Sequence, residues 1–462
     1  MASIFQSLEI ARRAIWASRM GIDVSSHNIA NVNTPGYSRQ RVNAEAATPM
    51  QLIKGQLGLG VNADDISRVR NQLLDLQFRQ ANHSFGKSQV RENSLYQVET
   101  VLQEPSEGSI GNLLTDFFSE FSNLATEPDN MTNRNVLLQK AQTLTDAFHQ
   151  KYDQLHNLQT SLREDIKSVV NQVNEISREV GDLNRKIAIA ESTYGNANDL
   201  RDKRDLLLDK LSEFVDVRTH EDDQGNMVVT AGGQAIVTGY ESRELVAETL
   251  SDSGKIVVKI KGSNQQDLAL KSGKIAGLVE VHNSTIPGLL DRLNELASHL
   301  IEEVNRVHQF GKGLPVGNPP TSATGLDFFT GTDAASINVS VEIQDNVANI
   351  AASLDGTPGN GDVALTIAKL RDRKVLNNNS QSLNDYYNDT IANLGTEIKV
   401  AQSNRQNQEL LKEQIDNQRE AVSGVSLDEE MTNLIKYQRS LEASTKIVKV
   451  VDEILNTVIN MV

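Results

Sequence analysis

The sequence predicts a mainly α-helical, elongated protein with one inserted antiparallel β domain. Long stretches at both ends and in the middle of the chain carry apolar residues three and four positions apart, which is the spacing of one helix face. Between residues 214 and 270 the apolar period changes to two, as in strands. Aromatic residues make up only 4% of the 462 residues, which favours long helices with narrow, coiled-coil-like seams over one large globular core.

Both ends of the chain carry such a seam. Each begins with a capping box, Ser3 with Gln6 at the first end and Ser426 with Glu429 at the second. No second helical stripe lies nearby in the sequence to bury the first one, so its partner must come from elsewhere in the chain or from another chain. The predicted assembly seam consists of Ile4, Leu8, Ala11, Ile15, Ile22, Ile29, Leu427, Met431, Leu434, Leu441, Val448, Val451, Leu455 and Val458.

Periodicity alone leaves two partners open for these terminal helices. They can form an ordinary intramolecular hairpin, or each can meet copies of the chain in an assembly. We predict the second arrangement, in which the stripes pair between chains. It follows that both helices are disordered in the isolated monomer, because neither can then bury enough apolar surface to offset its chain entropy.

A turn motif follows the first helix and indicates the assembly to which these seams belong. Thr-Pro-Gly ends a helix because the residue before proline is pushed out of the α region and the glycine supplies a positive φ. The stretch resembles the N-x-A-N-x-x-T-P-G-Y motif of bacterial flagellar rod, hook and hook-associated proteins, and residues 422–443 with 451–455 are similar to the matching C-terminal motif. The motif residues are Asn28, Ala30, Asn31, Thr34, Pro35, Gly36 and Tyr37.

Three internal stretches narrow the resemblance. Residues 199–214, 328–332 and 422–430 resemble the hook-associated protein that forms the first hook-filament junction layer. The resemblance implies a structural, self-assembling axial protein that joins hook to filament, with the terminal helices in the inner tube wall and the β domain facing outward. It also implies the partners: copies of the chain in a helical tube, the hook protein, the next junction protein, and an export chaperone before secretion.

The resemblance implies a location as well. The N-terminus lacks the order of a secretory signal peptide, and no apolar run is long enough for membrane insertion. On its own this absence indicates a cytoplasmic protein. The resemblance instead implies export through the dedicated flagellar secretion channel, which needs no cleaved signal, and a location in the flagellum outside the cell. Two alternatives stay open from the residues: a non-flagellar secreted coiled-coil interaction protein, and a hook or rod axial subunit.

The helical patterns in the middle of the chain divide it into domains. Residues 66–103, 110–125 and 132–150 read as three helices, and residues 155–190 carry the strongest heptad, typical of a coiled coil. Helices at 287–309 and 383–422 are expected to bundle with it. The predicted domains are 1–42 with 427–462 (terminal helices), 43–213 with 271–426 (elongated helical bundle, irregular and partly β at 311–361) and 214–270 (small outer β domain).

The β domain is predicted from alternation and turn chemistry. Gln224-Gly225-Asn226, Gly232-Gly233 and Ser253-Gly254 stand where hairpin turns belong. Residues 337–343 alternate as well and could add a strand to this domain.

The residues offer no recognisable chemistry. His282, His299 and His308 form no metal-binding pair, and no nucleophile, base and orienting group can be assembled. The carboxylates from Asp199 to Asp209 alternate with basic residues on a helix, which indicates a solvated face. We therefore predict no catalytic, cofactor-binding or metal-binding residues and no enzyme. The formal charge of −16 argues against nucleic acid as a partner.

Overall fold

The computed structural model describes residues 2–52, 55–102, 108–262, 267–317 and 321–460, and it confirms the predicted fold class. The helices are α1 (Ala2–Ala30), α2 (Gln72–Leu102), α3 (Ile110–Thr126), α4 (Met131–Tyr194), α5 (Asn198–Phe214), α6 (Lys274–Glu280), α7 (Ile286–His308), α8 (Val341–Asp345), α9 (Asp362–Ala368), α10 (Leu383–Ser423) and α11 (Leu427–Ile459). A π-helical turn (Val281–Thr285) joins α6 to α7, and 3-10 turns lie at Val347–Asn349 and Lys369–Asp372.

The strands form small antiparallel sheets. They are β1 (Gln40–Ala46), β2 (Met50–Leu52), β3 (Gly55–Leu57), β4 (Val61–Arg68), β5 (Val217–Glu221), β6 (Met227–Ala231), β7 (Gln234–Thr238), β8 (Glu241–Ser242), β9 (Leu245–Thr249), β10 (Ile256–Ile260), β11 (Phe329–Thr330) and β12 (Asn338–Val339). Strands β5 to β8 pair in chain order as one four-stranded sheet, and β9 pairs with β10, so the predicted β domain is present between α5 and α6. The hairpin turns fall where the glycines predicted them.

The terminal helices α1 and α11 pack against each other, antiparallel, within one chain. We call this pair the terminal hairpin. Ser18 Oγ donates a hydrogen bond to Ser440 Oγ at 2.9 Å, so the two helices touch near their middles. The prediction that these stripes pair only between chains is therefore wrong, and with it the premise that each helix lacks a partner in the monomer.

A two-stranded ribbon runs along α1. Strands β1 and β4 pair from Gln40 with Arg68 to Ala46 with Val61, and both contact α1. The sequence predicted only an extended, turn-rich link here, because a two-stranded ribbon that rests on a single helix has no buried face to impose a clear period of two. Helix α2 accordingly begins at Gln72 and not at residue 66. The predicted helix stop at residues 104–108 lies mostly outside the described residues.

The central core lies around the heptad of α4. Leu155, Leu162, Ile166, Val173 and Val180 are buried, as predicted. The stripe is covered by α5, α6 and the strands β7 to β9, while α10 packs on α2. The expected break between residues 150 and 155 is absent, because no proline or glycine interrupts the pattern there, and α4 runs unbroken over 64 residues.

The predicted helical bundle contains a second core, which we call the outer core, and it is separate from the central one. It joins α3, the first part of α4, α7 and the segment 328–370, and Phe117, Phe118 and Phe121 fill its centre. The strand predicted at 337–343 belongs here: β12 pairs with β11, and residue 341 already begins α8. The strand therefore adds nothing to the inserted β domain, and Ile337, Val339 and Ile343 are all buried in the outer core.

His308 closes this outer core and links its stability to pH. Its Nδ1–H donates to Leu326 O at 2.7 Å, and its Nε2 accepts from Ala351 N at 2.9 Å. The ring is therefore neutral, and burial lowers its pKa to about 4. The unfolded chain takes up this proton below about pH 6.5, whereas the folded chain does so only near pH 4. The stability that depends on the neutral ring is thus complete above pH 6.5 and is lost as the pH falls.

We expect the free energy of unfolding of the outer core to fall by about 3 kcal/mol between pH 6.5 and pH 4. Urea unfolding at several pH values measures this slope. His308→Gln should flatten it, whereas the matched control His156→Gln, at an exposed position, should leave it unchanged. An identical slope in both variants would contradict the assignment.

Candidate functional site

The seam predicted from the sequence is largely the contact surface of the terminal hairpin. Ala11 and Val451 are buried, and the next group is half-buried. That group comprises Ile4, Leu8, Ile15, Ile22, Ile29, Leu434, Leu441, Val448 and Leu455. The side chain of Val458 lies outside the described residues. Since most seam residues keep some exposed surface, the hairpin is a thin structure with a modest apolar interface.

Two predicted seam residues lie outside the contact surface of the terminal hairpin. Leu427 and Met431 are exposed, because the inward position at this end of α11 is taken by the buried Glu430. Its Oε1 lies 3.0 Å from Arg39 Nε. Met431 follows one residue later, about 100° further round the helix, and so faces outward.

Gly21 and Tyr437 are contact residues that the apolar pattern did not identify. A Cβ atom placed on Gly21 would lie 2.6 Å from the Tyr437 ring, so only glycine permits this close approach of the two helices. The available signal was a glycine inside a helical stretch, which costs about 1 kcal/mol relative to alanine and usually marks close packing.

Five large apolar side chains lie on the outward side of α11, two near its start and three in its second half. We call Met431, Ile435, Ile447, Val450 and Ile454 the outer stripe. These side chains are between 43% and 57% exposed. On α1, Phe5 and Trp16 are also exposed and lie on one face, eleven residues apart. Large apolar groups exposed on one side of a helix mark an interaction surface.

The turn motif is built around Asn28, whose side chain is fully buried. Its Nδ2 donates to Gln40 O and its Oδ1 accepts from Gln40 N, both at 2.9 Å. The same Oδ1 accepts from the Tyr37 hydroxyl at 2.7 Å. One side chain therefore satisfies the backbone that leaves the turn and fixes the aromatic ring at its end.

The other motif residues shape the turn itself. Asn31 Nδ2 donates to His27 O at 3.0 Å, and Thr34 Oγ1 donates to Asn31 Oδ1 at 3.1 Å, which closes the end of α1. Gly36 adopts a φ of +78°, and a Cβ there would stand 3.0 Å from Leu206. Ala30 and Pro35 are exposed. The motif thus redirects the chain from the hairpin to the surface of α5.

The residues that follow the motif attach it to the rest of the chain. Ser38 donates from N and Oγ to the Asp202 carboxylate, at 2.8 and 2.7 Å. Arg39 donates from its backbone N to Ser423 O and from Nη1 to Glu429, which joins the start of the ribbon to both sides of the α10–α11 connection. Burial, together with the charges of Asp199, Asp202 and Glu430, raises the pKa of Tyr37, so its hydroxyl remains a donor.

Beneath this attachment lies a buried ionic cluster, which we call the junction network. It consists of Arg68, Arg70, Arg79, Arg419, Asp75, Asp202, Asp205 and Asp209. Asp205 is its centre: it contacts Arg68 at 2.7 Å, Arg70 at 3.1 Å and Arg79 at 3.2 Å. The network connects the ribbon, α2, α5 and α10, so it fixes the base of the terminal hairpin to the packed helices α2, α5 and α10, which we call the shaft.

The prediction that the carboxylates of α5 form a solvated face is wrong for three of them. Asp202, Asp205 and Asp209 are buried, because arginines distant in sequence cover them. Burial acts to raise the pKa of Asp205, but the guanidiniums of Arg70, Arg68 and Arg79 overcome it and lower that pKa to about 2. Four carboxylates face four arginines, so the network is a structural clamp.

The described residues contain no group of three or more histidines or carboxylates arranged to hold a metal ion. None of the described helices is both long enough and apolar enough to cross a membrane. The described residues instead form a helical hairpin with an apolar outer side, a turn fixed by hydrogen bonds, and an ionic network that fixes the direction of the hairpin.

Two protein-family models and several known relatives match the chain. The family model for the flagellar hook-associated protein FlgK helical domain matches residues 95–329, and that for the flagellar basal body rod FlgEFG protein C-terminal matches residues 417–461. Flagellar hook-associated protein 1 of Bacillus subtilis (strain 168) is 31% identical over 100% of this chain and 99% of its own. The protein of the same name from Escherichia coli (strain K12) is 22% identical over 96% and 97%.

A solved structure supports the fold. The flagellar hook junction protein FlgK from Burkholderia pseudomallei matches with a TM-score of 0.65 at 17% identity, covering 75% of this chain and 100% of that chain. Fold, hairpin and turn motif together define a structural axial protein of the bacterial flagellum. Within that class the chain belongs to the flagellar hook-associated protein 1 (FlgK) family. Membership of this family excludes both alternatives, the non-flagellar interaction protein and the hook or rod subunit.

Proposed function

We propose that copies of this chain assemble into a helical tube through the outer stripe of the terminal hairpin, and that the assembly joins the flagellar hook to the filament. The observation that carries the proposal is the exposure of five large apolar side chains on a helix whose other face is already covered by α1. The seam holds the hairpin together, and the outer stripe is left for neighbouring subunits.

The energetics favour this division of the two faces. Burying a side chain such as Ile447 or Ile454 contributes roughly 1.5 to 3 kcal/mol, so several such contacts per neighbour sustain an assembly. An unassembled chain keeps the same surface in water, which favours association over the monomer.

The proposed partners follow from the same surface. Identical copies meet along the tube, and the hook protein and the next junction protein meet its two ends. Before assembly the stripe needs cover, which we assign to an export chaperone. The chain is exported to the flagellum, outside the cell, without a cleaved signal peptide, and it catalyses no reaction. The comparisons support these assignments through the family to which the chain belongs.

The first test distinguishes the role of the outer stripe in assembly from the role of the seam in holding the hairpin together. Ile447→Asp is expected to abolish incorporation into the hook-filament junction, because a carboxylate in an apolar contact costs several kcal/mol. The monomer should be unaffected, since Ile447 is exposed there. Leu441→Asp, on the half-buried seam, should instead loosen the hairpin and accelerate trypsin cleavage after Lys446 in the monomer.

Asn456→Asp is the matched control, because it adds the same charge at an exposed polar position of the same helix. It should assemble like the wild type. Electron microscopy of labelled filament ends measures incorporation, and timed proteolysis measures the hairpin. Normal incorporation of Ile447→Asp would rule out the outer stripe as the contact surface.

A further inference from the structure

The two helices of the terminal hairpin expose different kinds of apolar side chain. The outer stripe of α11 consists of branched aliphatic residues and a methionine, whereas the large apolar side chains exposed on the described part of α1 are Phe5 and Trp16, at 56% and 58%. Trp16 is the one tryptophan of the chain. Burying a tryptophan removes a large apolar area from water, and tryptophan is enriched at the centres of protein interfaces. We call Phe5 and Trp16 the aromatic face.

The aromatic face lies on the side of α1 that the rest of the chain leaves open. Helix α11 covers one side of α1 along the seam, and the ribbon covers another. On the ribbon side Arg13 donates a hydrogen bond to Asn62, and Ile10 packs against the backbone of Gly60. At 100° per residue, Phe5 and Trp16 lie within about 20° of each other and point between these two covered sides. A neighbouring molecule can therefore reach both rings without displacing α11 or the ribbon.

The aromatic face and the outer stripe lie at similar heights along the hairpin. The hydrogen bond between Ser18 and Ser440 sets the register of the antiparallel pair. Phe5, thirteen residues before Ser18, is therefore level with the residue thirteen after Ser440, which immediately precedes Ile454. By the same register Trp16 is level with the part of α11 between the two groups of the stripe. A second hairpin lying alongside the first can thus set its aromatic face against the stripe.

The charges that flank the two surfaces are complementary. Arg19 follows Trp16 by one helical turn, and Asp23 follows Arg19 by another. On α11, Lys446 and Glu453 flank the second half of the stripe. All four side chains are exposed, and none has an ionic partner within the described ranges. Each surface therefore offers a cation and a carboxylate that the other surface can neutralise when the two meet.

We infer that the outer stripe of one copy packs against the aromatic face of the adjacent copy, so that α11 of each hairpin meets α1 of the next. The inference rests on the proposed tube and names the surface that the stripe contacts within it. A surface that meets its own copy forms a two-fold contact and closes as a dimer, whereas two different surfaces generate an open helical array. A growing tube therefore needs a second surface, and the aromatic face supplies one.

Because the chain contains no cysteine, single introduced cysteines report this contact directly. One full-length variant carries a cysteine on the aromatic face, Phe5→Cys or Trp16→Cys, and a second carries one on the stripe, Ile447→Cys or Ile454→Cys. The two are co-expressed, and isolated hook-filament junctions are treated with a short bismaleimide. Denaturing electrophoresis then measures the cross-linked dimers.

We expect at least one mixed pair to give about tenfold more dimer than either of its variants alone, because only a mixture brings a face cysteine against a stripe cysteine. Asn456→Cys, at an exposed polar position of α11, replaces the stripe cysteine as the control and should give only background. Dimers in junctions built from Ile447→Cys or Ile454→Cys alone would show that the stripe meets its own copy and would overturn the inference. Cross-linking of Trp16→Cys to a different protein would overturn it as well.

A second measurement does not depend on cross-linking. Trp16→Asp is expected to lower incorporation into the junction at least about tenfold, because it removes the central aromatic of the contact. Trypsin cleavage of its monomer after Lys446 should stay within about twofold of the wild type, since Trp16 is exposed and lies off the seam. Normal incorporation of Trp16→Asp beside a failure of Ile447→Asp would overturn the aromatic face and leave the proposed tube standing. Normal incorporation of both would overturn the tube itself.

Discussion

Replacing Asp205 by alanine is expected to lower the free energy of unfolding of the central core by about 3 kcal/mol, and its melting temperature by roughly 10 °C. The carboxylate contacts three arginines, and its loss leaves their charges buried and under-compensated. Each arginine keeps at least one other carboxylate partner, Asp202, Asp75 or Asp209, which holds the effect below that of a fully unpaired charge. Thermal unfolding followed by circular dichroism measures it.

Asp199→Ala provides the control for this substitution. Asp199 lies on the same helix and accepts one hydrogen bond from Gln40 Nε2, but its side chain is 59% exposed, so we expect a change of less than about 1 kcal/mol. The acid response should differ as well. Because the pKa of Asp205 is lowered to about 2, its stabilising effect is complete above about pH 4 and is lost as the pH falls toward 2. Equal melting temperatures for the two variants would refute the central role of Asp205.

The fold class and most helices could be predicted from the sequence, because they depend on local periodicity. The heptad of α4 and the alternation between residues 214 and 270 each report one buried face, whatever that face packs against. Periodicity does not show which element packs against that face. The α4 stripe resembled one half of a coiled coil, yet strands and several helices cover it, since any apolar surface of matching shape satisfies the same pattern.

The junction network was missed for a related reason. Its carboxylates stand on one helix, but the arginines that neutralise them come from residues 68 to 79 and from residue 419, so no local pattern connects the two sets. The turn motif was recognised by its resemblance to flagellar proteins. Its physical content, the buried amide of Asn28 bonded to residues nine and twelve positions later, required coordinates.

That amide is the basis of the last prediction. Asn28→Leu keeps the size of the side chain but leaves Gln40 N, Gln40 O and the Tyr37 hydroxyl without their partner. Each buried polar group left unsatisfied costs about 1 to 3 kcal/mol, so we expect the turn to open with a local penalty of about 3 kcal/mol or more. Since 1.4 kcal/mol is a factor of ten in an equilibrium, trypsin cleavage after Arg39 should accelerate by roughly a hundredfold.

Asn28→Leu should also reduce incorporation into the assembly, although it changes no residue of the outer stripe. A tube places the outer stripes of all subunits in register only if every hairpin leaves the shaft in the same direction, and Asn28 holds the segment whose next residues, Ser38 and Arg39, fix that direction. Asn33→Leu is the matched control, because Asn33 lies exposed in the same turn and makes no side-chain hydrogen bond within the described part of the chain. We expect it to resist trypsin and to assemble like the wild type. Rapid cleavage of Asn28→Leu together with normal incorporation at the hook-filament junction would show that assembly tolerates a mobile hairpin, and the clamp would then serve monomer stability alone.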